Sequence, residues 1–458
     1  MSRYANVELD GGAPLAPEKD VPGGVGYIAD TGWVCSTGFS AFDPAGLPAV
    51  LTAGHCASDG AAETADLEFQ FNRLGLLGSF GFSQFGGPGN SWLLDPNTAI
   101  GPDNTAVTDP GNVGTDIAVI ESLPPDVDPL PAASTWGDAS QPEPDVKIIG
   151  TADPVAGMPV CRSGRTSAWS CGTVDAVGIF LVPGPTYVKP KDTSDPAEPQ
   201  DLRAFRGFLS YGVQSSGGDS GGPYVSGNYA VGTHAAGDTP DQNGNVIQNF
   251  AVAATLRDSL AVLPGYQLEL FLNKPAVSSP GAGATYEPGQ EIRGNVPAAP
   301  ATAVAAGSKV RITIQGQEPF DVTVDGNGNW GFPAPEGRGP LRFTAETVNG
   351  FSTSGASSFE YSQAAPAEPT MPAPPAPADP ARLVPAAPAD NPPAAVVLPP
   401  VSAPADLANT SGNAGNRGGL AHTGASALVT AAGAAAAAIV VGGVLTVLVR
   451  RRRRHTRG

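Results

Sequence analysis

Charge is scarce in this chain, and basic charge is scarcest. Only 15% of its 458 residues are Asp, Glu, Lys or Arg, with 25 basic against 43 acidic. The net charge of −18 offers no basic surface for a phosphate backbone, so no nucleic-acid partner is expected. It also weighs mildly against acidic substrates, although the local field at a pocket outweighs total charge. Cysteine and histidine number four each. No Cys-x-x-Cys pair exists, which removes the usual zinc spacing; no metal and no cofactor is expected. Residues 1–30 lack the apolar core of a signal peptide, since Arg3 is followed by Asn6, Glu8 and Asp10. The long apolar run lies at the other end, from Ala425 to Val449.

What the sequence does have is glycine and proline, at 59 and 48 residues, and they break its apolar segments into short pieces. From about 22 to 266, Val/Ile/Phe-rich stretches alternate with Gly, Pro, Asn and Asp turns. That pattern implies an all-β fold built as a double antiparallel β-barrel. Three peptides stand out within it: Leu51-Thr52-Ala53-Gly54-His55-Cys56, Gly114-Thr115-Asp116-Ile117-Ala118-Val119 and Gly217-Gly218-Asp219-Ser220-Gly221-Gly222-Pro223. A serine hydroxyl is a poor nucleophile unless a nearby imidazole takes its proton, and a buried carboxylate fixes that imidazole's tautomer. His55 follows the apolar segment Ala49-Val50-Leu51, whereas His422 and His455 lie in the tail and His234 follows Ser220 too closely. Asp116 opens the apolar run Ile117-Ala118-Val119-Ile120, which reads as a buried strand; Asp109 and Asp126 sit in Pro-rich turns. The order His, Asp, Ser is that of the chymotrypsin-type double barrel. The segments resemble trypsin/chymotrypsin-like serine proteases, especially the bacterial streptogrisin and glutamyl-endopeptidase branches.

The resemblance carries further expectations. The amides of Gly218 and Ser220 match the oxyanion hole. Cys35–Cys56 and Cys161–Cys171 match the family's disulfides, and Cys161-Arg162-Ser163-Gly164-Arg165-Thr166-Ser167 is similar to streptogrisin and α-lytic protease. The third bridge of the streptogrisins is missing; Ser215 and Ser216 occupy its place. Arg162 matches the arginine that pairs with the aspartate beside the nucleophile, here Asp219. Gly232-Thr233-His234-Ala235-Ala236-Gly237 resembles the pocket wall of glutamyl endopeptidases, in which the histidine binds substrate glutamate and a hydroxyl residue, here Ser215 or Ser216, assists. The bland alternative makes His234 a cap on the barrel wall.

Beyond the catalytic region the composition changes. Residues 274–362 alternate as half-buried strands and resemble a bacterial Ig-like β-sandwich around Trp330; Asp325-Gly326-Asn327-Gly328-Asn329 has hairpin-turn composition. Ala253 to Leu260 has helix-like spacing that matches the family's closing C-terminal helix. Residues 363–419 are dominated by Pro and Ala and predict a disordered, extended stalk. Leu420-Ala421-His422-Thr423-Gly424, the apolar run 425–449 and Arg450 to Arg454 follow. The run exceeds the roughly 20 residues that a transmembrane helix needs, and the arginines mark a cytoplasmic end. The pentapeptide resembles the Leu-Pro-x-Thr-Gly sorting signal, with Ala421 in place of proline; a sortase would cut between Thr423 and Gly424 and join the chain to peptidoglycan. The expected whole is a protease on the wall of a Gram-positive-type bacterium, or alternatively one retained in the membrane. Its N-terminal extension covers 1–21, its partners are protein or peptide substrates, and its export signal is expected upstream of Met1. A long inhibitory pro-segment is not expected. The competing class is a proteolytically inactive adhesive or binding protein, against which all three triad residues stand.

Overall fold

The computed structural model describes residues 19–95, 101, 105–187, 201–237, 250–337 and 339–365. Two large sheets make up the half that carries His55, Asp116 and Ser220, the candidate catalytic half. The first runs, in spatial order, Gln267–Leu268, Ser40–Phe42, Pro48–Thr52, Thr115–Glu121, Asn72–Gly86, Thr64–Phe69, Gly26–Ala29, Val34–Ser36. The second runs Ala168–Thr173, Pro159–Gly164, Pro223–Ser226, Tyr229–Gly237, Ala251–Thr255, Leu202–Ser210, Ala176–Pro183, with Gly150–Thr151 beside Tyr229–Gly237. Thr115–Glu121 is buried on both faces, with Ile117, Ala118, Val119 and Ile120 all inaccessible, which is why its sequence reads as a continuous apolar run instead of alternating. Its register places Leu51 opposite Val119 on one side and Phe85 opposite Asp116 on the other.

Each sheet covers its own core. Tyr27, Val50, Leu77 and Ile120 fill the first, and Phe208, Tyr224, Val231 and Ala253 belong to the second. Between them lie Phe39, Leu51 and Val119 against Val225, Ala230 and Leu256. The segment Lys19–Gly23 is a strand that pairs in parallel with Val127–Ser134. The sheet therefore begins before the expected boundary at 22. At the other end Gln267–Leu268 pairs with Ser40–Phe42, which carries the catalytic half past residue 266. The helix is shorter than its sequence suggests. It spans Leu256–Ala261, while Ala253 and Ala254 are buried in strand register with His234 and Thr233. Burial between two strands overrides the helix preference of alanine. Thr255 ends the strand and caps the helix, its hydroxyl accepting from the Asp258 amide at 3.3 Å.

Both expected disulfides form. Cys35–Cys56 joins the strand Val34–Ser36 to the segment carrying His55, and Cys161–Cys171 links directly opposed residues of adjacent strands.

Residues 276–363 form two further sheets around a shared core. Ile292, Trp330 and Phe332 come from a three-stranded sheet, and Val310, Ile312, Phe343 and Tyr361 from the facing one. The Asp325–Asn329 turn closes on itself, Asp325 Oδ1 accepting the Asn327 and Asn329 amides at 2.8 Å. It is not a hairpin, however. Phe320–Thr323 pairs within one sheet and Asn329–Pro333 within the other, so the turn crosses between sheets. This sandwich packs directly on the catalytic half: Leu270, Phe271 and Leu272 lie with Ile149, Ala301 and Ala305. Asn228 accepts from the Thr302 amide at 3.0 Å and its hydroxyl at 2.9 Å, and donates to the Lys147 carbonyl at 2.7 Å.

The strand Ser357–Gln363 takes in the first residue of the stalk expected over 363–419; residues 366–419, the sorting signal and the apolar run 425–449 lie outside the described residues, as do residues 1–18. Among the described residues no helix is long and apolar enough to cross a membrane.

Asn228 is 7% exposed, so its truncation leaves three partly buried groups unpaired. Asn228→Ala, in a Ser220→Ala background that prevents self-digestion, should lower unfolding free energy by about 1–3 kcal/mol in urea titrations. An unchanged midpoint would show that the docking of the sandwich adds nothing to stability.

Candidate active site

His55 sits in the short helical segment Gly54–Gly60, immediately after the strand Pro48–Thr52. Gly54 lets this segment lie against its neighbour, since a Cβ there would come within 2.1 Å of the Gln84 carbonyl. Asp116 is inaccessible to solvent at the head of the central strand. Both of its oxygens are used on one residue: Oδ1 accepts the His55 amide at 2.8 Å and Oδ2 meets the ring Nδ1 at 2.7 Å. A carboxylate can only accept in this contact, so it favours the tautomer with the proton on Nδ1, which leaves the Nε2 lone pair for a base role. The Phe85 ring, 5.5 Å away, packs against the imidazole. Asp109 and Asp126 are turn residues: Asp109 accepts the Gly111 amide and Asp126 pairs with Lys19.

Ser220 lies in a turn held from several sides. Its carbonyl accepts the Ser36 amide at 2.7 Å, and the Gly221 amide donates to the His234 carbonyl at 2.9 Å. Gly221 has φ of 88°, and a Cβ on it would lie 2.2 Å from Thr52 Oγ1. Only glycine permits this approach, and it seats the serine turn on the strand that leads into His55. Gly218 has φ of 101°, with its carbonyl held by Ser36 Oγ at 2.9 Å. Among the described residues neither the Gly218 nor the Ser220 amide donates to a protein acceptor. Two such free donors on one tight turn can stabilise a developing oxyanion.

Asp219 points away from solvent and is fully buried, as is Arg162; Arg162 Nη2 and Asp219 Oδ2 are 3.3 Å apart. The carboxylate also accepts the amides of Thr166 at 2.8 Å, Ser167 at 3.0 Å and Ser216 at 2.8 Å. Arg162 in turn donates to the Gln214 carbonyl. The pair expected from the resemblance is thus in place.

His234 is 2% exposed on the strand Tyr229–Gly237, with Nδ1 3.2 Å from the Tyr224 hydroxyl. Burial holds its pKa well below the ordinary 6.5, and the positive charge of Arg162 pushes the same way. Burial pushes the Tyr224 phenol up, so it keeps its proton. If the phenol donates to Nδ1, the neutral imidazole presents an N–H at Nε2. Ser215 Oγ is buried, has no hydrogen-bond partner among the described residues, and packs on Gly237, where a Cβ would come within 1.8 Å. Ser216 is partly exposed, and its amide is held by Asp219.

Some contributors to this site escaped the sequence reading. Arg203, with a side chain 3% exposed, contacts Asp201 and Asp59, donates to the Phe85 carbonyl at 3.0 Å and covers the Phe85 ring at 5.4 Å. It therefore braces the ring that packs on His55. The available signal was the presence of arginines, Arg203 and Arg206, inside the otherwise apolar segment Leu202 to Leu209, because a buried charge needs partners. Tyr224, next to Gly222-Pro223, gave none. Among the described residues the one grouping of metal-type ligands is Cys35, His55 and Cys56, and its sulfurs are bonded to each other.

No protein-family model matches the chain. It is 28% identical over 226 residues to streptogrisin-C of Streptomyces griseus, a stretch covering 49% of this chain and 36% of that relative's length. The matched stretch is thus similar to part of a bacterial serine protease, and the chain spans about a third of that relative's length. Among solved structures, protease A of Thermobifida fusca matches with 20% identity over 55% of this chain and 100% of its own, at a TM-score of 0.35. The chymotrypsin of Cellulomonas bogoriensis matches at 22% identity over 55% and 100%, again at 0.35. A protease described as glutamic acid specific matches at 17% identity over 54% and 100%, at 0.36.

Two outcomes follow from the buried groups. Removing one partner of a buried ion pair costs about 3–5 kcal/mol, so Arg162→Ala in the Ser220→Ala background should lose that much stability or fail to fold. A wild-type urea midpoint would contradict the role given to the pair. For His234, the unfolded chain protonates near pH 6.5 while the folded chain resists, so the unfolded state binds more protons as pH falls below that value. Stability must then drop with falling pH. Melting temperature between about pH 7 and about pH 5 should fall more steeply with His234 than with His234→Gln, and equal slopes would contradict it.

Proposed function

We propose that this protein is an active, surface-anchored serine endopeptidase that prefers glutamate before the scissile bond. The observation that carries the catalytic part is the His55–Asp116 pair, in which one inaccessible carboxylate holds both the backbone and the ring of the histidine. In this reading Ser220 Oγ attacks the peptide carbonyl and gives its proton to His55 Nε2. The amides of Gly218 and Ser220 receive the oxyanion, whose charge appears only during reaction. His55 then protonates the departing amine as the C–N bond breaks, leaving an acyl-serine. Water repeats the sequence and releases the acid. Asp116 keeps the imidazole oriented and stabilises its cationic form.

The glutamate preference rests on His234, Ser215 and Gly237. A neutral Nε2–H and an unpaired hydroxyl are suited to a carboxylate, and hydrogen bonds to an ionised group are the strong ones. Ser216 is placed in the same short segment to add a second hydroxyl. Gly237 keeps the space beside Ser215 open. Asp219, the acidic residue of this loop, is already engaged by Arg162 and three amides, so a Lys or Arg side chain has no free counter-charge there.

The surface location rests on sequence: the Leu420–Gly424 pentapeptide, the apolar run and the terminal arginines. A sortase joining Thr423 to peptidoglycan would release Gly424 and the segment beyond it.

The test is a cleavage profile of the purified full chain on a random peptide library. Cuts should concentrate after Glu, fall about a millionfold in Ser220→Ala, and lose roughly 10- to 100-fold in kcat/KM for Glu substrates in His234→Ala. An unchanged Glu preference in His234→Ala would discard the pocket assignment while leaving the protease; no Ser220-dependent cleavage at all would discard both.

A further inference from the structure

We propose that Phe71 and Arg165 form a binding site for the leaving-group half of the substrate, taking an apolar side chain on the C-terminal side of the scissile bond. The proposal rests on the reading of Ser220 as nucleophile. The strands Thr64–Phe69 and Asn72–Gly86 are joined through Gln70 and Phe71, both left-handed with φ of 50° and 64°. Turns of this kind ordinarily take Asn or Gly, because a bulky side chain is strained there. Phe71 is nevertheless 69% exposed, so no packing into a core accounts for it.

What the ring does have is a fixed cation against it. The Arg165 guanidinium lies 4.7 Å from its centroid. Glu68 holds both members, pairing with Arg165 Nε and accepting the Phe71 amide at 2.7 Å. Glu68 is 5% exposed, and its charge cancels that of Arg165, so the platform is apolar with no net charge. An apolar side chain therefore suits it better than an acidic one.

Three hydrogen bonds tie the platform to the serine turn at two of its carbonyls. Arg165 donates its amide to Ser36 Oγ at 3.0 Å, Ser36 Oγ donates to the Gly218 carbonyl at 2.9 Å, and Thr166 Oγ1 donates to the Gly217 carbonyl at 2.9 Å. A Cβ on Gly218 would lie 3.3 Å from Arg165 Nη1. The other flank of the same turn is Ser215 against Gly237. A peptide whose acyl side chain enters beside Ser215 must carry its leaving half across Gly218, where Arg165 and Phe71 stand.

Acyl transfer isolates this half of the site. A reactive p-nitrophenyl ester of N-acetylglutamate acylates Ser220 and expels p-nitrophenol without any peptide on the leaving side. An added amine then attacks the acyl-serine, forming an amide and returning the proton to Ser220 through His55. With the full chain, leucinamide should capture the acyl group about tenfold better than glycinamide, in line with partial burial of one apolar side chain. Phe71→Asn, which suits a left-handed turn, should erase most of that preference while leaving unchanged the rate at which water hydrolyses the acyl-serine once p-nitrophenol has left. Phe71→Tyr should retain it. An undiminished leucinamide preference in Phe71→Asn, or no preference in the wild type, overturns the site. Slower hydrolysis of the acyl-serine by water in Phe71→Asn also overturns it, because Phe71 would then act on the chemistry and not on the leaving half. Ester hydrolysis that persists in Ser220→Ala would instead bring down the nucleophile reading and this one with it.

Discussion

Asp219 is the point on which the catalytic geometry hangs. A carboxylate in a fully buried position is tolerable only when its charge is matched and its lone pairs are filled. Arg162 supplies the charge, and the amides of Thr166, Ser167 and Ser216 fill the remaining positions. These donors come from both sides of the site. Ser216 belongs to the serine turn itself, while Arg162, Thr166 and Ser167 lie on the hairpin closed by Cys161–Cys171. Satisfying one buried charge thus fixes the turn that bears Ser220 against a disulfide-bound hairpin. The same contact sets the places of Gly217 and Gly218, whose carbonyls are held by Thr166 and Ser36.

A second buried arginine does comparable work around His55. Arg203 reaches from the second large sheet to Asp59, just beyond the histidine, and to the carbonyl and ring of Phe85. Ser58 and Asp59 are left-handed, with φ of 52° and 54°, so the chain leaving His55 is kinked where Arg203 grips it. Each arginine therefore braces one member of the proposed Ser220–His55 pair. Apolar packing between the sheets is non-directional and fills volume; hydrogen-bonded charges fix angles. That division explains why Phe39, Leu51 and Val225 lie between the sheets while the groups that set alignment are ionic.

The parts that could be read from sequence are those in which chemistry demands particular residues close together in the chain. Gly-Asp-Ser-Gly-Gly needs its glycines for backbone approach, and Gly221 against Thr52 is the contact that requires one. Asp116 could be singled out because the strand after it is too apolar to be a surface loop. The disulfide pairing was legible only through family resemblance, since four cysteines alone can pair in more than one way. Phe85 and Tyr224 were not legible as site residues, and Arg203 was legible only as a charge in need of partners, because their roles depend on which strands become neighbours. The register that sets Phe85 opposite Asp116 is a tertiary fact. The same holds for the Asp325–Asn329 turn. Its local hydrogen bonds are as its composition suggests, yet whether it joins paired strands is decided by the sandwich around it.

The sandwich raises a question of what counts as the catalytic unit. Leu270, Phe271 and Leu272 follow directly on the strand that completes the first sheet, and they would be an apolar ribbon in water if the chain ended there. Ala301, Ala303 and Ala305 cover that ribbon with small side chains, which permits close approach of the two backbones. Polar contacts frame the apolar ones: Ser352 accepts the Leu270 amide at 2.9 Å, and Thr347 donates to the Asn273 carbonyl at 2.7 Å. Phe351 meets Phe42 from the first sheet at 6.0 Å between rings. A free spacer would leave its connecting segment solvated and polar. Here the connecting segment is apolar and sandwiched, so residues 276–363 act as a wall of the catalytic half as well as a module with a core of their own.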